Sequence, residues 1–232
     1  MAGINNIAAS ARRALRVALT AAIAIALGIA MAGSRAAAEP PHFLVAKPDL
    51  GDSLFEQSVV LILPPPSPQM VSGVIINKPT TISVKQVFPR AVDLSEACNT
   101  VYFGGPVGLD ALLMVRRTTA PIESEVRVFG DLYLSVDPNK IVALLRDPSI
   151  DKTNVRVFEG YSVWTVPQLE REKTEDSWYE VPASAESVFT SDPKQLWKHL
   201  AARGRMQQVE LPQQPYSPPR VFNSAFRLPP TL

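Results

Sequence analysis

The chain has 232 residues, of which 46% are hydrophobic and 19% are charged, a composition that suits a globular protein with a substantial core. Four of its 23 basic residues and none of its 22 acidic residues lie in residues 1–38, so residues 39–232 have a formal charge of −3. Nucleic-acid-binding domains usually carry an excess of clustered basic residues, which a domain with this charge lacks. We therefore expect no specific binding to DNA or RNA. The single cysteine, Cys98, excludes an internal disulfide and a thiolate metal site.

Residues 1–38 have the organisation of a secretory signal peptide. Three arginines within residues 12–16 precede the uncharged apolar run 17–33, and an A-x-A cleavage site ends at Ala38. We therefore predict cleavage after Ala38, a periplasmic or secreted protein, and no membrane-spanning segment in the mature chain. One alternative is an uncleaved membrane anchor, although 17 residues span about 26 Å, slightly less than a hydrocarbon core of ~30 Å. The other is an organelle transit peptide. Sec and twin-arginine export both stay open.

The first apolar stretches of the mature chain predict strands. Residues 42–47 form a short strand, and the continuous apolar run 58–63 is typical of a strand buried on both faces. This run ends at the proline-rich stretch 64–68, where backbone donors are missing, and residues 70–77 resume as a strand. The arrangement predicts a hairpin with an exposed proline-rich loop.

The double glycine Gly104-Gly105 lies within a second predicted strand pair, 101–103 and 111–115. A phosphate-binding loop needs donors at the start of a helix, and no helix follows. The glycines are therefore interpreted as a sharp turn or as a place where another backbone comes close, with Pro106 fixing the exit.

The second half of the chain mixes strands with helices. Asp-Pro pairs, with Asp as the N-cap and Pro in the first turn, begin two of the helices. The predicted helices are 137–147, 165–175 and 192–203. The predicted strands are 126–135, with a break near Gly130, 154–160 and 177–182. Residues 206–232 hold six of the 22 prolines and are predicted to be a poorly ordered tail. Residues 39–205 are thus predicted to form a single α+β domain with a mixed, curved sheet and a few packed helices.

Few residues offer catalytic chemistry. The two histidines, His42 and His199, are not placed beside Cys98 or any particular serine, so no catalytic residue is assigned and enzymatic activity stays open. An acidic run is interpreted as the solvated face of a helix, and the alternative is acid–base chemistry or Mg²⁺ binding. The run comprises Glu170, Glu172, Glu175 and Asp176. No metal site and no cofactor are predicted.

Four motifs, in this order along the chain, resemble the YqgE/AlgH family. They lie at 43–60, 72–79, 101–107 and 159–183, and the resemblance covers roughly residues 43–203. The combination of "INKP", "FGGPV" and "GYxxWxxxQLExE" is specific, whereas each motif alone is weak. The chain departs from the family at Lys47, where Met is usual, and at Val163, where Gly is usual.

The resemblance implies an α+β fold with a mixed, barrel-like sheet, and it brings no established biochemical activity. One branch is named for a proposed regulatory link to alginate production. The acidic mature domain lacks a helix-turn-helix pattern, which argues against a transcription factor. The leading hypothesis is an exported, non-enzymatic module that binds a small molecule or an envelope protein. The alternatives are a hydrolase-type enzyme whose site the sequence does not disclose and a regulator of envelope or exopolysaccharide functions.

A binding site is predicted where apolar strands end, because sites are usually built from loops on a rigid scaffold. The amide and ammonium groups of "INKP", the close-approach glycines, and two aromatic rings with polar edges are expected to converge on one side of the sheet. The predicted site residues are Asn77, Lys78, Gly104, Gly105, Tyr161 and Trp164. The alternative is that Tyr161 and Trp164 belong to the core and that the others form turns.

Overall fold

The structure is a computed structural model, and it describes residues 41–52, 54–88 and 99–210. The predicted leader, Cys98 and residues 211–232 lie outside the described residues. The strands are β1 His42–Ala46, β2 Val59–Leu63, β3 Met70–Ile75, β4 Pro79–Ser83, β5 Thr100–Phe103, β6 Val107–Arg117, β7 Val126–Phe129, β8 Leu132–Ser135, β9 Val155–Thr165 and β10 Trp178–Pro182. The helices are α1 Val84–Val87, α2 Pro138–Arg146, α3 Val166–Thr174, α4 Ala185–Val188 and α5 Pro193–Glu210, and a 3₁₀ turn covers Lys152–Asn154.

The described strands form one mixed, curled sheet with β9 in the middle. Its order is β10-β1-β2-β3-β9-β6-β8-β7, and the neighbours along this path are antiparallel. Strand β5 lies parallel to the first half of β9, and β4 pairs with β5. The predicted single α+β domain with a mixed, barrel-like sheet is confirmed.

The predicted hairpin consists of β2 and β3, which pair from Val60 with Ile75 to Leu63 with Ser72. Alternate side chains of β2 enter different clusters of the core. Val59 and Leu61 face the cluster that α5 covers, whereas Val60 faces the cluster that α3 covers. Burial on both faces explains why this strand is a continuous apolar run rather than an alternating one.

The helix starts follow the predicted capping chemistry. The Asp137 carboxylate accepts a hydrogen bond from the Asn139 backbone N–H at 2.8 Å, and the Asp192 carboxylate accepts one from Gln195 N–H at 3.3 Å. Helix α5 continues to Glu210, so residues 206–210, which the sequence analysis placed in the tail, are helical. Within the described residues no helix is long and apolar enough to cross a membrane.

Candidate functional site

Strands β5 and β6 flank β9 and do not pair with each other, which corrects their interpretation as a strand pair. Phe158 of β9 pairs with Tyr102 of β5 on one side and with Leu113 of β6 on the other. The connection between β5 and β6 must therefore cross β9. It crosses at Gly160.

The crossing brings two backbones into direct contact. A Cβ atom on Gly104 would lie 2.3 Å from the carbonyl oxygen of Gly160, and one on Gly160 would lie 2.4 Å from the carbonyl oxygen of Gly105. Gly160 also has φ of +70°. Real Cβ atoms do not approach oxygens so closely, and L side chains rarely adopt this φ. The interpretation of the double glycine as a close backbone approach is confirmed.

A pocket opens beside this crossing, because β6 leaves β9 there. Val107 pairs with Tyr161, but the next pair is Leu112 with Glu159, so residues 108–111 bulge away. Past Tyr161, no described strand pairs with β9 on the side opposite β3. The open edge borders a cavity of about 370 Å³, here called the Glu172 pocket, lined by Leu50, Asp52, Phe55, Pro106, Val107, Val163, Trp164, Gln168, Glu172, Ser177 and Trp178.

Three aromatic rings form one wall of the Glu172 pocket. Trp164 and Trp178 pack edge to face, with their centroids 6.1 Å apart and their planes at 88°. The ring of Phe55 lies 5.7 Å from Trp164 and 5.6 Å from Trp178. The two indoles are only 3% and 4% exposed, whereas Phe55 is half-buried. Phe55 is therefore the most exposed of the three rings in the pocket wall, while burial of both tryptophans stabilises the fold.

Glu172 joins the two tryptophans through its carboxylate. Its Oε2 accepts hydrogen bonds from both indoles, from Trp164 Nε1 at 3.0 Å and from Trp178 Nε1 at 3.0 Å. Its Oε1 accepts a third hydrogen bond from Gln168 Nε2 at 2.9 Å. Gln168 and Glu172 are four residues apart on α3, so they lie on the same helix face. The carboxylate is thus fixed, half-buried, at the pocket wall.

The charged residues that line the Glu172 pocket are acidic. Asp52 and Glu172 contribute two carboxylates, and no Lys, Arg or His is among the described residues that line it. The cations of α3 have acidic partners outside the pocket. Lys173 Nζ lies 3.1 Å from Glu170 and 2.8 Å from Glu180. Among the described residues no group of three or more His, Cys, Asp or Glu side chains is arranged to hold a metal ion.

The Asn77 side chain is buried and is hydrogen-bonded to two backbone groups, so it does not lie at an open surface. Its Oδ1 accepts a hydrogen bond from Val59 N–H at 2.8 Å, and its Nδ2 donates to the Gln57 carbonyl at 2.9 Å. Asn77 is 7% exposed. The side chain therefore fixes the turn that precedes β2, which is the turn that carries Phe55.

Lys78 does not line the Glu172 pocket, although its backbone carbonyl accepts a hydrogen bond from Phe103 N–H at 2.9 Å. It lines a separate cavity of about 470 Å³ together with Glu56, Gln57, Asn77 and Lys194. Lys78 Nζ donates to the Leu54 carbonyl at 2.6 Å. Burial lowers the pKa of the Lys78 ammonium, and the nearby carboxylates of Glu56 and Asp52 oppose that shift.

Of the six predicted site residues, the structure brings the glycines and Tyr161 together, and Phe103 N–H, next to Gly104, donates to the Lys78 carbonyl at 2.9 Å. The side chains of Asn77 and Lys78 line a different cavity from that of Trp164. A Cβ on Gly105 would lie 2.4 Å from the Tyr161 carbonyl carbon. The Tyr161 side chain itself lines a third, mostly apolar cavity of about 360 Å³. It also packs against the core cluster that α5 covers. Trp164 alone of the six lines the Glu172 pocket. A binding role for any of them stays a prediction.

The sequence analysis missed Glu172, Trp178, Asp52 and Phe55. It assigned Glu172 to a solvated helix face, and that interpretation holds for Glu170 and Glu175, which are exposed. Glu172 differs because its side chain points toward β9 and β10. The available signal was the spacing of Gln168 and Glu172 between two tryptophans.

Together, the curled mixed sheet, the glycine crossing and the motif residues around it define a single-domain α+β protein of one recognisable class. The family model described as AlgH-like matches residues 43–208. The chain belongs to this AlgH-like family, as its motifs predicted.

Two relatives described as UPF0301 proteins show how much of the chain is shared. The one from Cytophaga hutchinsonii is 31% identical over 158 residues, covering 68% of this chain and 85% of the relative. The one from Streptomyces coelicolor is 35% identical over 170 residues, covering 71% of this chain and 86% of the relative. The family is uncharacterised, and no established activity comes with it.

Two solved structures share the fold. The crystal structure of a Corynebacterium diphtheriae protein has a TM-score of 0.59 at 24% identity and covers 77% of this chain and 92% of its own. The solution structure of the AlgH protein from Pseudomonas aeruginosa has a TM-score of 0.57 at 24% identity and covers 81% and 100%. At this identity the two similarities support the fold alone.

Proposed function

We propose that the protein is a non-enzymatic binding module that holds a small molecule in the Glu172 pocket. The observation that carries the proposal is the convergence of four separate segments on one concave site with a fixed carboxylate. The pocket is lined by residues 50, 52 and 55, by residues 106–107, by residues within 163–172 and by residues 177–178. Small-molecule sites are typically cavities of roughly 300–1,000 Å³ with apolar walls and a few placed polar groups, and the Glu172 pocket has these features.

The arrangement favours binding over a hydrolase of the serine–histidine type. Neither His42 nor His199 lines the Glu172 pocket, so the pocket contains no imidazole base for a nucleophile. Two indole N–H groups and the Gln168 amide hold the Glu172 carboxylate in place. We also propose that the protein acts outside the cytoplasm, and this part of the proposal rests only on the predicted signal peptide at residues 1–38.

The three indole N–H groups of the protein provide the test. In a ¹H–¹⁵N correlation spectrum, Trp164, Trp178 and Trp197 each give one indole cross-peak. Trp197 donates to the Ala46 carbonyl at 2.7 Å and does not line the pocket, so it serves as the internal control. Screening a fragment library should yield molecules that shift the Trp164 and Trp178 cross-peaks and leave that of Trp197 in place. A library that shifts none of them, or shifts all three together, would refute the proposal.

A further inference from the structure

We propose that the ligand of the Glu172 pocket is a small organic cation with hydrogen-bond donors, such as an amidinium, guanidinium or primary ammonium compound. This inference rests on the proposed function and specifies the chemistry of the same site.

The first argument is the sign of the charge in the pocket. Asp52 and Glu172 face the same cavity, and none of its described lining residues is cationic. An anion entering the pocket would lose water and meet two carboxylates, whereas a cation would be attracted by Glu172 and by Asp52, the second of which also interacts with the Lys78 ammonium outside the lining.

The second argument concerns the hydrogen-bond character of the same groups. Carboxylates only accept hydrogen bonds. The Asp52 carboxylate already accepts one from Leu54 N–H at 2.8 Å through Oδ1, and Asp52 is an exposed residue that lines the pocket. Glu172 is fixed by three donors, and its Oε1 accepts only one of them, from Gln168. A ligand rich in N–H groups would complement both acids.

The third argument is the aromatic wall. The half-buried Phe55 ring packs against both indoles and lines the cavity. Aromatic faces attract cations, and the attraction strengthens as the site is desolvated. A planar amidinium or guanidinium head could lie against this ring while its N–H groups reach the carboxylates. The wall therefore favours the same ligand class as the acids.

The test compares three probes of nearly equal shape and different charge. Benzamidine is cationic, benzamide is neutral and benzoate is anionic. Each would be titrated into the ¹⁵N-labelled protein while the three indole cross-peaks are followed. Benzamidine should shift Trp164 and Trp178 at millimolar or lower concentration, and benzamide and benzoate should bind at least about tenfold more weakly, because hydrogen bonds to charged groups are the stronger ones.

Two charge-neutralising variants complete the test. Glu172→Gln keeps an oxygen for both indoles. Its NH2 group replaces the acceptor of Gln168 Nε2, so the Gln168 amide must turn and accept through its own oxygen. Asp52→Asn lies outside the indole network. Each should weaken benzamidine binding by about tenfold and leave the weak binding of benzamide unchanged.

The outcomes separate this inference from the proposed function. Equal binding of benzamide or benzoate at the Trp164 and Trp178 peaks would overturn the cation preference and retain the pocket as a site. Benzamidine binding that is unchanged in both variants would also overturn it. No shift with any of the probes overturns the cation inference, and the proposed function then depends on the wider fragment screen.

Discussion

The glycine crossing gives a sharp prediction, because the chain contains a matched control for it. Gly160 and Gly130 both have positive φ, +70° and +51°, but their surroundings differ. A Cβ on Gly160 would lie 2.4 Å from the Gly105 carbonyl oxygen and 3.1 Å from that of Val107, whereas nothing lies within 4 Å of one on Gly130. Substituting each glycine by alanine separates backbone strain from crowding.

The expected magnitudes follow from these two geometries. Gly130→Ala incurs the left-handed strain of roughly 1–2 kcal/mol, offset in part by about 0.4–1 kcal/mol from a less flexible unfolded chain. Gly160→Ala incurs the same strain and, in addition, forces two backbone segments apart, for which overpacking costs about 1–3 kcal/mol. Gly160→Ala should therefore be destabilised by about 1–3 kcal/mol more than Gly130→Ala.

Urea unfolding of residues 39–232, followed by far-ultraviolet circular dichroism, measures this difference. Equal m-values in the two variants would show that the comparison concerns the folded state. Unfolding free energies that agree within about 0.5 kcal/mol would refute the crossing argument, because crowding would then add nothing to the strain.

Four further predictions concern the pocket, the leader, nucleic acid and Lys78. Glu172→Ala leaves two buried indole N–H groups without their acceptor and should cost about 2–6 kcal/mol of unfolding free energy. Glu170→Ala, which removes an exposed ion pair on the same helix, should cost under about 1 kcal/mol, and similar losses in the two would contradict the role of Glu172. Mass spectrometry of the mature protein should find Glu39 at the N-terminus, and an intact Met1 or Ala2 terminus on a cytoplasmic protein would reject export. Fluorescence anisotropy at physiological salt should show DNA binding no tighter than a non-specific Kd of roughly 10⁻⁴ to 10⁻⁶ M, and a nanomolar, sequence-dependent complex would reject that expectation. Burial lowers the pKa of the Lys78 ammonium in the folded protein. The unfolded chain therefore binds the lysine proton more tightly than the folded protein does. The contribution of Lys78 to the free energy of unfolding thus rises with pH between the lowered pKa and the ordinary lysine value. Lys78→Met should flatten that rise in pH-dependent unfolding, and an unchanged pH profile would contradict the shift.

The sequence by itself determined most of the local structure, because strand and helix patterns depend on near neighbours. The apolar run of β2 predicted a strand buried on both faces. The Asp-Pro pairs that begin at residues 137 and 192 predicted two helices, because Asp caps the first turn. The motifs also identified the family and, through it, the curled mixed sheet. The strand and helix patterns each lie within a few consecutive residues, and the order of the family motifs can be read directly from the sequence.

The tertiary structure alone decided what the pocket contains, because its contacts join residues far apart in the chain. Gly104 meets Gly160 only after β5 and β6 pair on opposite sides of β9. Glu172 resembles its exposed neighbours on α3 until β9 and β10 bring two indoles to it. A carboxylate on an amphipathic helix has the same local sequence signature whether it faces water or a tryptophan. Only the packing of that helix distinguishes the two, and here it places an acid at the wall of the candidate site.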